Sequence, residues 1–234
     1  MFAIYKKELR SYFTSPLGYV FCGVYLAVAG FMLGITTAFS QTADVSSYFQ
    51  VMIFASGVLL PILTMKSFSE ERKLKTEQLL MTSPVSIVSM VTAKFLASYT
   101  VFVSALIVSC INFFPLSMYG TMNASRTIGC LIAMLLVGMC FTAIGIFVSS
   151  LTENTVTAAI GTMAILLVAV AASLFNNLIN SYFIRRILSW ISVYGRYVNF
   201  TYGIFDFSAM VYYLSLTVIF LFLAVRVYDR RRWA

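Results

Sequence analysis

Six apolar runs, each long enough to cross a bilayer, leave this chain few ways to fold. They cover residues 17–39, 48–65, 91–116, 127–148, 156–178 and 207–225. At about 1.5 Å per helical residue, each run reaches across roughly 30 Å of hydrocarbon. Backbone N–H and C=O groups in that medium must bond to one another, so only helices or a closed barrel qualify. Barrel strands would alternate apolar and polar residues over about ten positions, and these runs do not. The composition agrees: 10% of the residues are charged, where a soluble domain carries about a quarter. The mean hydropathy is +0.92. The reading is an all-α polytopic membrane protein with six transmembrane helices, a single domain over residues 1–234.

The net charge of +8 is therefore read by side of the membrane and not as a footprint for nucleic acid, which is not expected as a partner. With the N-terminus inside, internal segments hold Lys6, Lys7, Arg10, Lys66, Arg72, Lys73, Lys75, Lys94, Arg226, Arg230, Arg231 and Arg232. External segments hold only Arg126, Arg185, Arg186 and Arg196. This asymmetry places both termini in the cytoplasm. Cys22, Cys110, Cys130 and Cys140 all fall inside the apolar runs without metal-ligand spacing, and histidine is absent. No metal site and no His-based acid–base catalyst is expected, and nothing resembles a cleaved signal peptide.

One long charged interruption, residues 67–80, separates the second and third runs. Ser67 with Glu70 fits a capping box, and Glu71 with Lys75 forms a favourable i,i+4 pair. Leu74, Leu79, Leu80 and Met81 give an apolar side, and Ser83 with Pro84 can start the next helix. The spacing predicts a capped amphipathic helix over 67–82, a surface that a partner can hold. A solvated loop joining two spans is the alternative.

Residues 2–14 predict a second surface helix. Phe2, Tyr5, Leu9, Tyr12 and Phe13 share one face, with Lys6, Lys7 and Arg10 away from it, as in a helix lying in the inner headgroup layer. Ser15-Pro16 then opens the first span, whose Gly18, Gly23, Gly30 and Gly34 allow close approach of helices. Pro61 predicts a kink or a freed carbonyl near the end of the second span. Lys94 is expected to snorkel to the interface. The turn Thr152-Glu153-Asn154 offers a second cytosolic contact, with Glu153 either capping the fifth span or touching a partner.

Residues 179–206 are too polar to span but rich in aromatics. Phe183, Ile187, Trp190, Ile191 and Tyr194 keep a helical stripe, read as an external amphipathic or re-entrant helix. An ordinary aromatic belt and an external gate over a central pathway are both consistent with it. The sequons Asn123-Ala124-Ser125 and Asn199-Phe200-Thr201 fall on the same outer side.

No acidic residue lies inside a span, so a proton or sodium relay has no obvious members. No phosphate-binding G-x-x-x-x-G-K-[ST] loop occurs either. A chain without its own energy source that moves cargo uphill must be driven by a separate subunit, and the interruption at 67–80 is the place to push.

At this point the residues resemble a family. Glu70-Glu71-Arg72-Lys73-Leu74-Lys75-Thr76-Glu77-Gln78-Leu79-Leu80, followed by Thr82-Ser83-Pro84-Val85, is similar to the coupling-helix signature of ABC-2-type exporter permeases. Lys6-Lys7-Glu8-Leu9-Arg10-Ser11-Tyr12-Phe13-Thr14-Ser15-Pro16 resembles the start of that family, notably its gliding-motility and nitrous-oxide-reductase-maturation types. The likeness extends to the six-span plan, the aromatic stretch before the last span and the basic C-terminus. Lys75 stands where the family often has glycine. The resemblance implies a non-catalytic permease half in the plasma membrane, without a cofactor of its own, paired with an identical or related half. ATP and magnesium would sit on a cytosolic ATPase. By that analogy Glu70, Glu71, Arg72, Lys73, Thr76, Glu77, Leu79, Leu80 and Pro84 would carry the coupling contact, and the pathway would run between the two halves. A further extracytoplasmic subunit is compatible with this plan. A stand-alone channel, and a scaffold that transmits force to an extracytoplasmic machine, are the alternatives. The aromatic interior suggests an amphipathic cargo over a small ion, although packing alone demands the same residues.

Overall fold

The computed structural model describes residues 1–40, 45–75, 86–116, 123–176, 186 and 192–232, and among them there are helices and no strand. The order is α1 (Phe2–Thr14), α2 (Pro16–Ser40), α3 (Val45–Thr64), α4 (Lys66–Lys73) and α5 (Ile87–Ser109). A 3₁₀ turn, Cys110–Asn112, leads into the short α6 (Phe113–Leu116). Then come α7 (Ala124–Leu151), α8 (Thr155–Asn176), α9 (Val193–Thr201) and α10 (Phe207–Arg232). Six of these are long and apolar enough to cross a membrane: α2, α3 with α4, α5, α7, α8 and α10.

The bundle is built around α7. Of its apolar stretch 72% is buried, against 22% for α2 and α10, so α7 is the core and those two form the periphery. It packs on α10, α3, α8, α9, α5 and α4. Two glycines make this closeness feasible. A Cβ on Gly138 would overlap the Phe102 ring of α5, and one on Gly145 would overlap the Thr64 side chain of α3. In lipid, burial alone does not draw helices together, so such close backbone contact does much of the packing. The glycines of the first span behave otherwise. Gly18 abuts the Tyr12 carbonyl at the α1–α2 corner, but Gly23, Gly30 and Gly34 approach no other part of the described chain.

Polar side chains within the spans mostly bond to their own helix. Ser56, Ser98, Thr142 and Thr162 each donate to the carbonyl four residues earlier, at 2.7, 2.8, 2.9 and 2.7 Å. This satisfies the hydroxyl without a partner helix, and so an apolar bundle tolerates them. None of the four cysteines is in a disulfide; Cys130 and Cys140 are buried and Cys22 and Cys110 half-buried.

α1 is where the 2–14 pattern places it, but it is docked against α5 and α2. Tyr12 is buried and its hydroxyl donates to the Leu63 carbonyl at 3.2 Å. Burial, then the nearby Glu8 carboxylate, pushes that phenol up, so it stays a neutral donor. The Tyr5 hydroxyl meets Thr100 Oγ1 at 3.1 Å. Phe2 and Phe13 remain exposed, so the inward face is narrower than the five-residue stripe.

Pro16 opens α2 as expected. Residues 83 and 84 lie outside the described residues, and the cap observed for α5 is Ser86, whose Oγ accepts from the Ser89 N–H at 3.3 Å. α3 runs through Pro61, with the Met65 N–H returning to the Pro61 carbonyl at 2.9 Å.

At the other end of the bundle, Ser192 caps α9 through the Gly195 N–H at 2.9 Å. Val193, Tyr197, Phe200 and Thr201 are its buried residues, and α9 lies on α7 and α8. The Tyr213 hydroxyl of α10 donates to the Val193 carbonyl at 2.7 Å, and the Arg196 guanidinium stands 4.0 Å over the Tyr212 ring. Asp206 starts α10: its Oδ1 accepts from the Ser208 N–H at 2.9 Å, and its Oδ2 accepts from the Asn199 amide, also at 2.9 Å. The Asn199 bond leads in holding this carboxyl below its ordinary range.

Candidate coupling site

The interruption between the second and third spans begins without a break from α3, since α4 starts at Lys66 directly after Met65. The expected capping box is not formed. Met65, with helical backbone angles, stands at the N-cap, and the Ser67 hydroxyl has no hydrogen-bond partner. The free N–H groups at the start of α4 are met from another helix. Ser149 Oγ, near the end of α7, accepts from Phe68 N–H at 3.1 Å and Ser69 N–H at 3.2 Å, and donates to the Met65 carbonyl at 3.1 Å. Ser69 Oγ returns a bond to the Ser149 carbonyl at 3.1 Å. A cap supplied by α7 fixes α4 to the core of the bundle, as a cap in cis would not.

Lys94, on α5, does not snorkel as expected: it is 1% exposed, enclosed by α1 and α4. Its ammonium uses all three donors, to the Ser67 carbonyl at 2.6 Å, Glu71 Oε1 at 2.9 Å and Glu8 Oε1 at 3.1 Å. It also stands 4.9 Å over the Phe68 ring. Burying an ammonium this deeply is costly unless each donor finds an acceptor, and here each does. Lys7 stands 3.7 Å from Glu71 and 3.8 Å from Glu8, balancing the second carboxylate.

The expected Glu71–Lys75 pair is consequently absent. α4 ends at Lys73, Leu74 is still helical, and Lys75 has φ 56°, so its side chain leaves the helix surface. Lys66 with Glu70, at 3.7 Å, is the i,i+4 pair that does form. The left-handed angle at Lys75 also gives a physical reason for glycine at this place in the resembling family.

Arg72 ties α4 to the turn after α7. It meets Glu153 Oε1 at 2.8 Å and donates to the Leu151 carbonyl at 3.2 Å. Glu153 therefore does not cap α8, and Asn154 Oδ1 does, accepting from the Val156 N–H at 2.9 Å. Thr152 closes α7. Phe68 completes the set: it is buried with Val91, Phe95, Ala143, Ile146 and Ala224, and its ring lies 4.6 Å from that of Tyr228 on α10. Thus α1, α4, the 152–154 turn and the later part of α10 meet at one end of the bundle.

Of the residues expected to carry a coupling contact, Glu71 faces inward and Arg72 is engaged within the chain. Glu70 remains half-exposed and Lys73 and Leu74 are exposed, with Glu153 exposed beside them. Thr76, Glu77, Leu79, Leu80 and Pro84 lie outside the described residues, as do Phe183, Ile187, Trp190 and Ile191 of the external stripe. Tyr194 is described: it is half-buried, its ring 5.8 Å from Phe54 on α3 and 6.5 Å from Tyr197. Sequence reasoning missed Glu8, Lys94 and Ser149 as partners of α4. The available signal was Lys94 itself, a single cation seated in an apolar run, which demands a carboxylate from elsewhere.

Six helices long and apolar enough to cross a membrane, with an amphipathic helix before them and a charged helix clamped between the second and third, define the class of a multi-pass membrane protein. Residues 31–233 match the family described as ABC-2 family transporter protein. The chain belongs to that family, and is a membrane component of a transporter. No curated protein matches it.

Proposed function

We propose that the chain is the membrane half of an ATP-driven exporter, paired with a second half and driven by a cytosolic ATPase that pushes on α4. Support comes from the family and from the way α4 is held. The observation that carries the reading is Lys94: one buried ammonium joins α4 to α1 and α5, while Ser149 and Arg72 join it to α7, and Phe68 to α10. Displacing α4 therefore displaces four other helices together, as a rigid-body transition between inward- and outward-facing packings requires. The motor contact is assigned to Glu70, Lys73, Leu74 and Glu153, with residues 76–84 continuing it. Residues 183–194 are assigned to the external gate, and twelve cationic side chains on the α4 side favour the cytoplasm for that end.

The test uses the permease co-expressed with its ATPase. Replacing Glu70, Lys73 and Leu74 together by Ala leaves the inward contacts intact and is expected to abolish co-purification. Lys94→Met keeps that surface but loosens its anchorage. It is expected to reduce the permease-dependent part of the ATPase rate about tenfold, within the usual range of coupling energies. Co-purification and rate both at wild-type level in these variants would contradict the reading.

A further inference from the structure

Beside the Lys94 cluster, between α1, the start of α2 and α4, lies a cavity of about 490 Å³. Its charged lining is balanced, with Lys7, Lys66 and Lys94 against Glu8, Glu70 and Glu71. Lys94 is fully engaged, but Lys7 and Lys66 stand 3.7–3.8 Å from their nearest carboxylates, beyond good hydrogen-bond range. Both ammonium groups therefore keep donors for a further acceptor. Two under-used ammonium groups side by side fit an absent anionic acceptor. Tyr12, Leu17 and Leu74 add apolar wall, and the exposed rings of Phe2 and Phe13 give α1 a surface suited to lipid.

From this geometry we infer that the cavity binds the headgroup of a zwitterionic phospholipid of the ethanolamine type. The phosphate accepts from Lys7 and Lys66, the headgroup amine donates to the half-exposed Glu70, and the glycerol and upper acyl carbons lie along Leu17 and Tyr12. The equal numbers of lysines and glutamates favour a neutral headgroup over an anionic one. The apolar wall favours a lipid over the same headgroup free in solution. Glu70 and Leu74 are shared with the proposed motor contact, but lipid binding is read on the chain without its ATPase, so failure of one is distinguishable from failure of the other.

Native mass spectrometry of the full chain tests it, with palmitoyl-oleoyl phosphatidylethanolamine, the diacylglycerol with the same chains, and soluble glycerophosphoethanolamine as probes. The phospholipid adduct is expected to survive delipidation and the diacylglycerol adduct to be lost. Lys7→Gln with Lys66→Gln should weaken the adduct about tenfold or more. Lys6→Gln with Lys73→Gln, which removes two exposed cations off the cavity, should leave it unchanged. Thermal melting of each variant separates loss of the site from loss of the fold. Equal retention of diacylglycerol, wild-type affinity in the Lys7 and Lys66 variant, or equal loss in the Lys6 and Lys73 control would overturn the proposal. Displacement of the lipid by glycerophosphoethanolamine at matched concentration would assign the site to a soluble zwitterion and overturn the lipid as its source.

Discussion

Lys94 shows how one residue changes meaning between sequence and structure. On an apolar run, near its charged end, a lysine reads as a cation bending back to water. Here it is buried because Glu8, 86 positions earlier, and Glu71 supply the counter-charge, and no local pattern reveals so distant a pairing. Its replacement is expected to be costly for what it leaves behind. Lys94→Met strands two half-buried carboxylates and should destabilise the fold by about 3–5 kcal/mol, whereas Lys94→Met with Glu8→Gln and Glu71→Gln should recover most of that loss. Thermal unfolding in detergent reads both; a triple variant no more stable than Lys94→Met would contradict the account. Lys75 gives the opposite sign. Its φ of 56° suits glycine, so Lys75→Gly should stabilise α4 by about 1 kcal/mol, seen as slower amide exchange over residues 70–74. Faster exchange there would show that the lysine side chain contributes more than its backbone angle costs.

At the level of elements, the apolar runs made the six spans legible, because twenty consecutive apolar residues have one stable outcome in a bilayer. The 2–14 helix was legible from its period, and so was the existence of a helix at the charged interruption. What caps that helix was not. Ser67 with Glu70 satisfies the capping pattern, but α4 continues from α3 so closely that its first amides already face α7, where Ser149 is nearer than Ser67 can be. The central place of α7 left only a trace, in that its stretch is the most apolar of the six, and the more conspicuous glycines of the first span point elsewhere. The small residues that matter for packing within the chain are Gly138 and Gly145. Gly145→Ala forces Thr64 away from α7 next to the α3–α4 junction, and should destabilise the bundle by about 1–3 kcal/mol while loosening α4. Ala at Gly161, where a Cβ would sit 3.5 Å from Val148, should be near neutral. Equal melting temperatures for the two variants would contradict this picture of the α3–α7 contact.

For the whole molecule, the proposed function sets one requirement: work arrives from outside the chain. The architecture meets it by gathering α1, α4, the 152–154 turn and the end of α10 around a single buried ammonium, so that a displacement at one exposed helix is shared by the bundle. Cargo is not legible at this scale, because the aromatic residues that would line a pathway are the same ones that packing requires. The side of the membrane is the decisive point. In a background with Cys22, Cys110, Cys130 and Cys140 replaced by Ala, Lys73→Cys puts one thiol on the exposed face of α4. A membrane-impermeant maleimide should label it in inverted vesicles and not in right-side-out ones. Labelling only in right-side-out vesicles would put α4 beyond the reach of any cytosolic motor and contradict the account.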